Sequence, residues 1–335
     1  MKKAFIMIVA AFIALSIFPQ PAKHDEGKIE RKSDEFNQLI SENAFLEKVS
    51  EGFDWSEGPA WNKKDSSLLF SDIRKNTIYR WKENEGTTIY LRPSGFAGEK
   101  PPGRGLGANG LAFNSDGELI LCDHGNRMVS KLNEENFTKK PLATHYNGKR
   151  LNSPNDLVIS SKGEIFFTDP PFGIQKKNYA ELKEIDFNGV YKIDTEGNVH
   201  LLISDIPIPN GIALSPDEKT LYVTKSGKVD TEIRAYNIDG NGNLDKGRTF
   251  FNTYELTKKG LIGPTDGMTI DYKGNLFASG PGGILVISPK GKLLGIIHTG
   301  QKTSNCTFGN DGSVLYITAD MYVLRIKTNT KGLGF

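Results

Sequence analysis

Six times along this chain a short acidic or amide residue stands immediately before an apolar stretch. The six are Glu57 in SEGPAW, Asn109 in GANGLAF, Asn155 in SPNDLVI, Asn210 in IPNGIAL, Asp266 in PTDGMTI and Asn305 in TSNCTF. They follow one another at about 40 to 55 residues, the span of one four-stranded propeller blade. The same grammar comes after each: a cluster of turn residues, then a second apolar run. Asn114-Ser115-Asp116-Gly117 leads into ELILCD, Ser161-Lys162-Gly163 into EIFFTD, Pro216-Asp217-Glu218 into TLYVT, Tyr272-Lys273-Gly274 into NLFAS and Asn310-Asp311-Gly312 into SVLYIT. Asn, Asp and Gly tolerate the positive φ that hairpin loops require, so these clusters join adjacent antiparallel strands. Third strands such as TIYRWK and GVYKID follow, and fourth strands such as TTIYLRP and VHLLIS. The apolar period is two nearly everywhere. Four strands, six times, predict an all-β fold, a six-bladed β-propeller. The last repeat has little chain left after VLRIKT (Val323 to Thr328) and lacks its own outer strand, and FLEKV from Phe45 is expected to close that blade.

Such a ring occupies residues 44–330, leaving two shorter pieces ahead of it. Lys2 and Lys3 precede an apolar run from Ala4 to Phe18, the layout of a secretory signal or, if uncleaved, of an N-terminal anchor over residues 1–22. An exported protein, periplasmic or extracellular, is expected. Residues 23–43 read as a polar linker with one weak helical turn. The balance of 42 Lys and Arg against 40 Asp and Glu, with no basic stripe, argues against a nucleic-acid partner and against membrane contact beyond the N-terminal segment. Oligomeric state leaves no mark on the sequence. Cys122 and Cys306 fall in repeats that are not neighbours, so buried free thiols are expected rather than a disulfide.

A lone Asn-Gly is a turn dipeptide. Here the turns are already assigned to the second cluster of each repeat, and Glu57 in Glu-Gly-Pro is a poor hairpin residue. In a propeller the six positions converge on one axis. The Glu57 and Asp266 carboxylates would repel there unless neutralised or protonated. A divalent cation resolves the repulsion, and an all-oxygen set of carboxylates and amides suits Ca²⁺ first. It disfavours a structural Zn²⁺ site, although Zn²⁺, Mg²⁺ or Mn²⁺ can enter oxygen sites with altered activity.

The chain resembles the family of senescence marker protein, gluconolactonase and luciferin-regenerating enzyme, most closely its exported bacterial gluconolactonase branch. The resemblance is carried by SEGPAW (56–61), GANGLAF (107–113), LCDHGNR (121–127), GKRLNSPNDLVIS (148–160), FTDPPFG (167–173), IPNGIALSPD (208–217) and TDGMTID (265–271). It implies Glu57, Asn210 and Asp266 as protein ligands of one divalent metal, with Asn155 a fourth ligand or reaching the metal through water or substrate. Asp266 is implied as general base, and Arg104 and Asn109 as parts of a substrate-side loop. Phe172 departs from the family pattern, where Tyr is common.

Among the remaining candidates, His124 can orient substrate from the end of a second strand or serve as a hydrogen-bonded structural histidine. Asp169 ends the next second strand, and Pro170-Pro171 stiffens the loop after it. Arg127 is expected to pair with Asp123 or to contact substrate, Lys225 to face the channel, and His298 to sit at the surface. No Gly-x-Ser-x-Gly elbow or phosphate loop is present. The reading that results is a lactonase acting on a small-molecule sugar lactone, with the metal polarising the carbonyl and Asp266 activating water. Two rivals are a paraoxonase-like aryl-ester or phosphotriester hydrolase and a non-catalytic, Ca²⁺-stabilised binding propeller. Specificity is assigned to loops 95–107, 170–182 and 225–232.

Overall fold

In a computed structural model of the chain, the described residues are 27–99, 105–174, 176–228 and 231–335. The segment 1–22, read as signal or anchor, lies outside them. Strands dominate, and six antiparallel sheets of four or five strands stand in a ring, the expected six-bladed propeller, with one further two-stranded hairpin of His145–Tyr146 and Lys149–Arg150 among the described residues. Blades 1 to 6 occupy residues 56–91, 108–143, 157–203, 209–252, 268–298 and 303–327. Their inner strands touch in chain order, and that of blade 6 returns to that of blade 1.

The alternation of apolar residues becomes a division of labour between blades. Each blade turns apolar side chains toward both neighbours, and six hydrophobic clusters result, one in every seam. Between blades 6 and 1, for example, Trp61 stacks on Tyr316 with ring centroids 5.4 Å apart, and Trp81 packs alongside. Each fully buried large side chain contributes about 1.5–3 kcal/mol. A ring closed in this way leaves only short, protected strand edges.

Closure follows the sequence reading, shifted by two residues. The strand Glu47–Glu51 pairs antiparallel with Tyr322–Lys327 as the outer strand of blade 6. Ahead of it, the reading of residues 23–43 as a linker gives way. Lys28–Arg31 pairs with Leu293–His298 and adds a fifth strand to blade 5. The weak helical turn is the helix Asp34–Leu39, which sends Phe36 and Leu39 into the seam between blades 5 and 6. Gly295 makes this docking possible, since a Cβ there would stand 2.4 Å from the Phe36 ring. Arg31 fastens the other end, donating from Nη1 to the Ile40 carbonyl at 2.9 Å and from Nη2 to that of Ser41 at 2.6 Å. These residues look polar because only a few apolar side chains are needed to cover one seam. Cys122 and Cys306 are both buried and free. Among the described residues, no helix is long and apolar enough to cross a membrane.

Candidate functional site at the head of the channel

The six recurring residues are buried where the inner strands begin: Glu57, Asn109, Asn155, Asn210, Asp266 and Asn305. In blades 1, 2 and 4 the strand register shifts at this point, between Glu57 and Ala60, Ala108 and Leu111, and Pro209 and Ile212. Such bulges re-aim a side chain away from the regular pleat. In blades 3 and 5 regular pairing starts only at Leu157 and Met268, just past the recurring residue.

The glycine after the recurring residue is not there for a hairpin. A Cβ on Gly58 would stand 1.9 Å from the Asn109 carbonyl oxygen, one on Gly110 2.7 Å from that of Asn155, and one on Gly211 2.2 Å from that of Asp266. Each glycine therefore lets the next blade's backbone close in at the axis. Hydroxyls at the penultimate position of three second strands hold the carbonyl of the next blade's recurring residue. Ser71 Oγ donates to Asn109 O at 2.8 Å, Thr168 Oγ1 to Asn210 O at 2.6 Å and Thr224 Oγ1 to Asp266 O at 2.9 Å. The pattern is visible in FSD, FTD and VTK, and Cys122 takes the same place in LCD.

Blade 3 breaks the glycine rule with Asp156, which the sequence reading passed over. It brings a third carboxylate into reach of Glu57 and Asp266. Burial, then the charge of Asp156, pushes Glu57 up to about 8. Burial lifts Asp156 to about 7. Asp266 is held well above the ordinary carboxylate range by burial, then by Glu57 and Asp156. The three share one electrostatic environment. The signal for Asp156 was present: it is an acid at the position where four other repeats carry glycine.

Asn210 supplies the complementary observation. Its Oδ1 is buried without a hydrogen-bond partner, and its side chain acts to lower the Asp266 pKa against the burial that raises it. An orphaned buried carbonyl oxygen beside carboxylates is costly, and its donor chemistry fits coordination to a hard cation. Among the described residues no group of three His, Cys, Asp or Glu side chains could hold an ion, so any ion here must draw on amide oxygens as well. Glu57, Asn210, Asp266 and Asn155 answer that description.

His124 and Asn109 form a pair, with Asn109 Nδ2 and His124 Nε2 3.4 Å apart. Burial lowers the His124 pKa to about 4, so the ring is neutral near pH 7 and accepts from the amide in its Nδ1-protonated tautomer. Arg104 lies outside the described residues, as do parts of the three specificity loops. Asp169 accepts from the N–H groups of Asn152 and Ser153, both at 2.7 Å, and so fixes the loop that delivers Asn155. The expected pairing of Arg127 with Asp123 is absent from the contacts formed. Arg127 Nε donates to the Leu151 and Asn152 carbonyls, while Asp123 meets Lys139 and Asn126. Lys225 lies 3.8 Å from Glu232, and His298 is partly buried, clasping Glu30 at 2.9 Å.

The class so defined is a six-bladed β-propeller with a buried, oxygen-rich, acidic site at the head of its channel. Residues 55–320 match the SMP-30/Gluconolactonase/LRE-like region, and the chain belongs to that family. A gluconolactonase of Zymomonas mobilis is 40% identical over 312 residues, covering 91% of this chain and 87% of the relative. The solved structure of a gluconolactonase from Xanthomonas campestris superposes with a TM-score of 0.81 at 30% identity, covering 93% of this chain and 99% of that one. A calcium-binding protein, regucalcin, from Agrobacterium tumefaciens shares the fold at 18% identity and a TM-score of 0.65, covering 85% of this chain and 93% of that one.

Proposed function

We propose that this chain is a lactonase that opens a sugar lactone to its hydroxy acid with the help of one divalent cation. The observation that carries the reading is the partnerless Oδ1 of Asn210, set among carboxylates that burial and mutual repulsion leave short of positive charge. The similarity to gluconolactonases supplies the substrate class. Glu57, Asn210 and Asp266 would hold the cation, with Asn155 as a fourth ligand or joined through water. Hard oxygen donors favour Ca²⁺. When bound, the cation polarises the lactone carbonyl and steadies the charge that develops on its oxygen.

The chain's own groups do the remaining work. Asp266 takes a proton from the attacking water as the new bond forms at the acyl carbon; the ring C–O bond then breaks and the departing ring oxygen receives that proton back, giving a hydroxyl and a carboxylic acid. Asn109 and Asn155 orient the substrate's oxygens. Neutral His124 steadies the Asn109 amide, and the family resemblance would assign Arg104 to the substrate side. The basic-then-apolar run at residues 2–18 supports export of the enzyme in this reading.

Turnover of D-glucono-1,5-lactone, an aromatic ester and a phosphotriester by one calcium-loaded preparation tests the substrate class. The sugar lactone should be the fastest by a wide margin. A preference for the ester or phosphotriester would overturn the reading, as would no turnover of any of the three.

A further inference from the structure

Asn305 holds its place in the ring but is oriented unlike the other amides. Its Oδ1 accepts from the Cys306 N–H at 2.8 Å, which turns the NH₂ group toward the channel. From there Nδ2 donates to Asp156 Oδ2 at 3.2 Å, reaching from blade 6 to the opposite blade 3. The same side chain acts on Glu57 as well, favouring its ionised form against burial. Asp156 Oδ1 is taken by the Leu157 N–H at 2.9 Å, and Glu57 Oε2 by the Gly58 N–H at 3.1 Å. Gly267 opens the slot in which the amide lies, since a Cβ there would stand 1.9 Å from Asn305 Cγ. An amide with its oxygen occupied and its donors facing two carboxylates is no cation ligand. It is a spacer.

We propose that Asn305 is a positioning residue that ties the Glu57 and Asp156 carboxylates together across the head of the channel, presenting Glu57 to a cation and holding Asp156 back from it. The proposal rests on the cation-site reading above. Groups that orient a metal ligand typically change affinity by about 10–100-fold when removed. Asn305→Ala removes the donors, and the near-isosteric Asn305→Asp keeps the shape while facing Asp156 and Glu57 with a further negative charge.

The test is calorimetric calcium titration together with thermal melts of the full-length protein in chelator and in calcium. Asn305→Ala should bind calcium about tenfold more weakly than the wild type. Asn305→Asp should melt lower than the wild type in chelator and gain more from calcium than the wild type gains. If Asn305→Asp lowers the melting temperature equally in both conditions and Asn305→Ala binds calcium as the wild type does, Asn305 only packs the channel and the proposal fails. A wild type that shows neither calcium heat nor a calcium shift overturns the cation-site reading itself, which separates the two failures.

Discussion

The seams between blades and the head of the channel are built from the same strands and obey opposite rules. In the seams, apolar side chains from adjacent blades close over one another, with Trp81, Phe70 and Phe277 almost or fully buried. At the channel head, three carboxylates and an unpaired amide oxygen are buried together. Burial of that second kind works against folding unless a positive partner arrives. The contrast teaches that stability in this molecule resides between blades, and that the channel head is held in place by stability generated elsewhere.

Paired substitutions should separate the two regions. Asp266→Asn is expected to lower kcat by about 10²–10⁴-fold through loss of the base, while the metal-free melting temperature does not fall, because one of three buried carboxyls that hinder one another's ionisation has gone. Trp81→Ala should do the reverse, costing about 3–5 kcal/mol of stability with kcat per folded molecule little changed. Activity assays and melts of both proteins check this, and an Asp266→Asn protein that keeps wild-type kcat would remove the residue from catalysis.

A smaller effect is expected from pH. Glu57 and Asp156 stand at about 8 and about 7 in the fold, against ordinary values of 4.5 and 3.8, and Asp266 is also raised. The folded chain thus binds these protons more tightly than the unfolded one. The stability they carry is full below about pH 4 and is lost as pH rises toward about 8. Metal-free protein should therefore melt lower at pH 8 than at pH 5, and calcium should restore most at the higher pH. Melts in chelator that rise over that interval would contradict the coupling of these carboxylates.

Much of this was legible in the sequence because a propeller repeats its grammar. Turn clusters, strand periodicity and the need for a closing strand near Phe45 are local signals, and each is found in the structure. The same locality explains what was missed. Lys28–Arg31 and Phe36 pack because a distant seam offers an edge and the space above Gly295, which no window of polar residues announces. The glycines after Glu57, Asn109 and Asn210 were read against turn chemistry, whereas their purpose lies in the neighbouring blade's backbone. Asp156 was overlooked because it stood beside Asn155 rather than at the recurring position, although an acid replacing glycine was the clue. Arg127 illustrates a further limit: its partners are carbonyls of the following loop, and backbone acceptors leave no trace in composition.

The central claim is that the oxygen-rich channel head works only with a cation. Metal-stripped protein assayed on D-glucono-1,5-lactone, with Ca²⁺, Mg²⁺, Mn²⁺ and Zn²⁺ restored in turn, tests it most directly. The account predicts that stripping abolishes turnover and that Ca²⁺ returns it, with the other ions giving altered rates. Full activity in the stripped protein, or no recovery with any of the four, would contradict it.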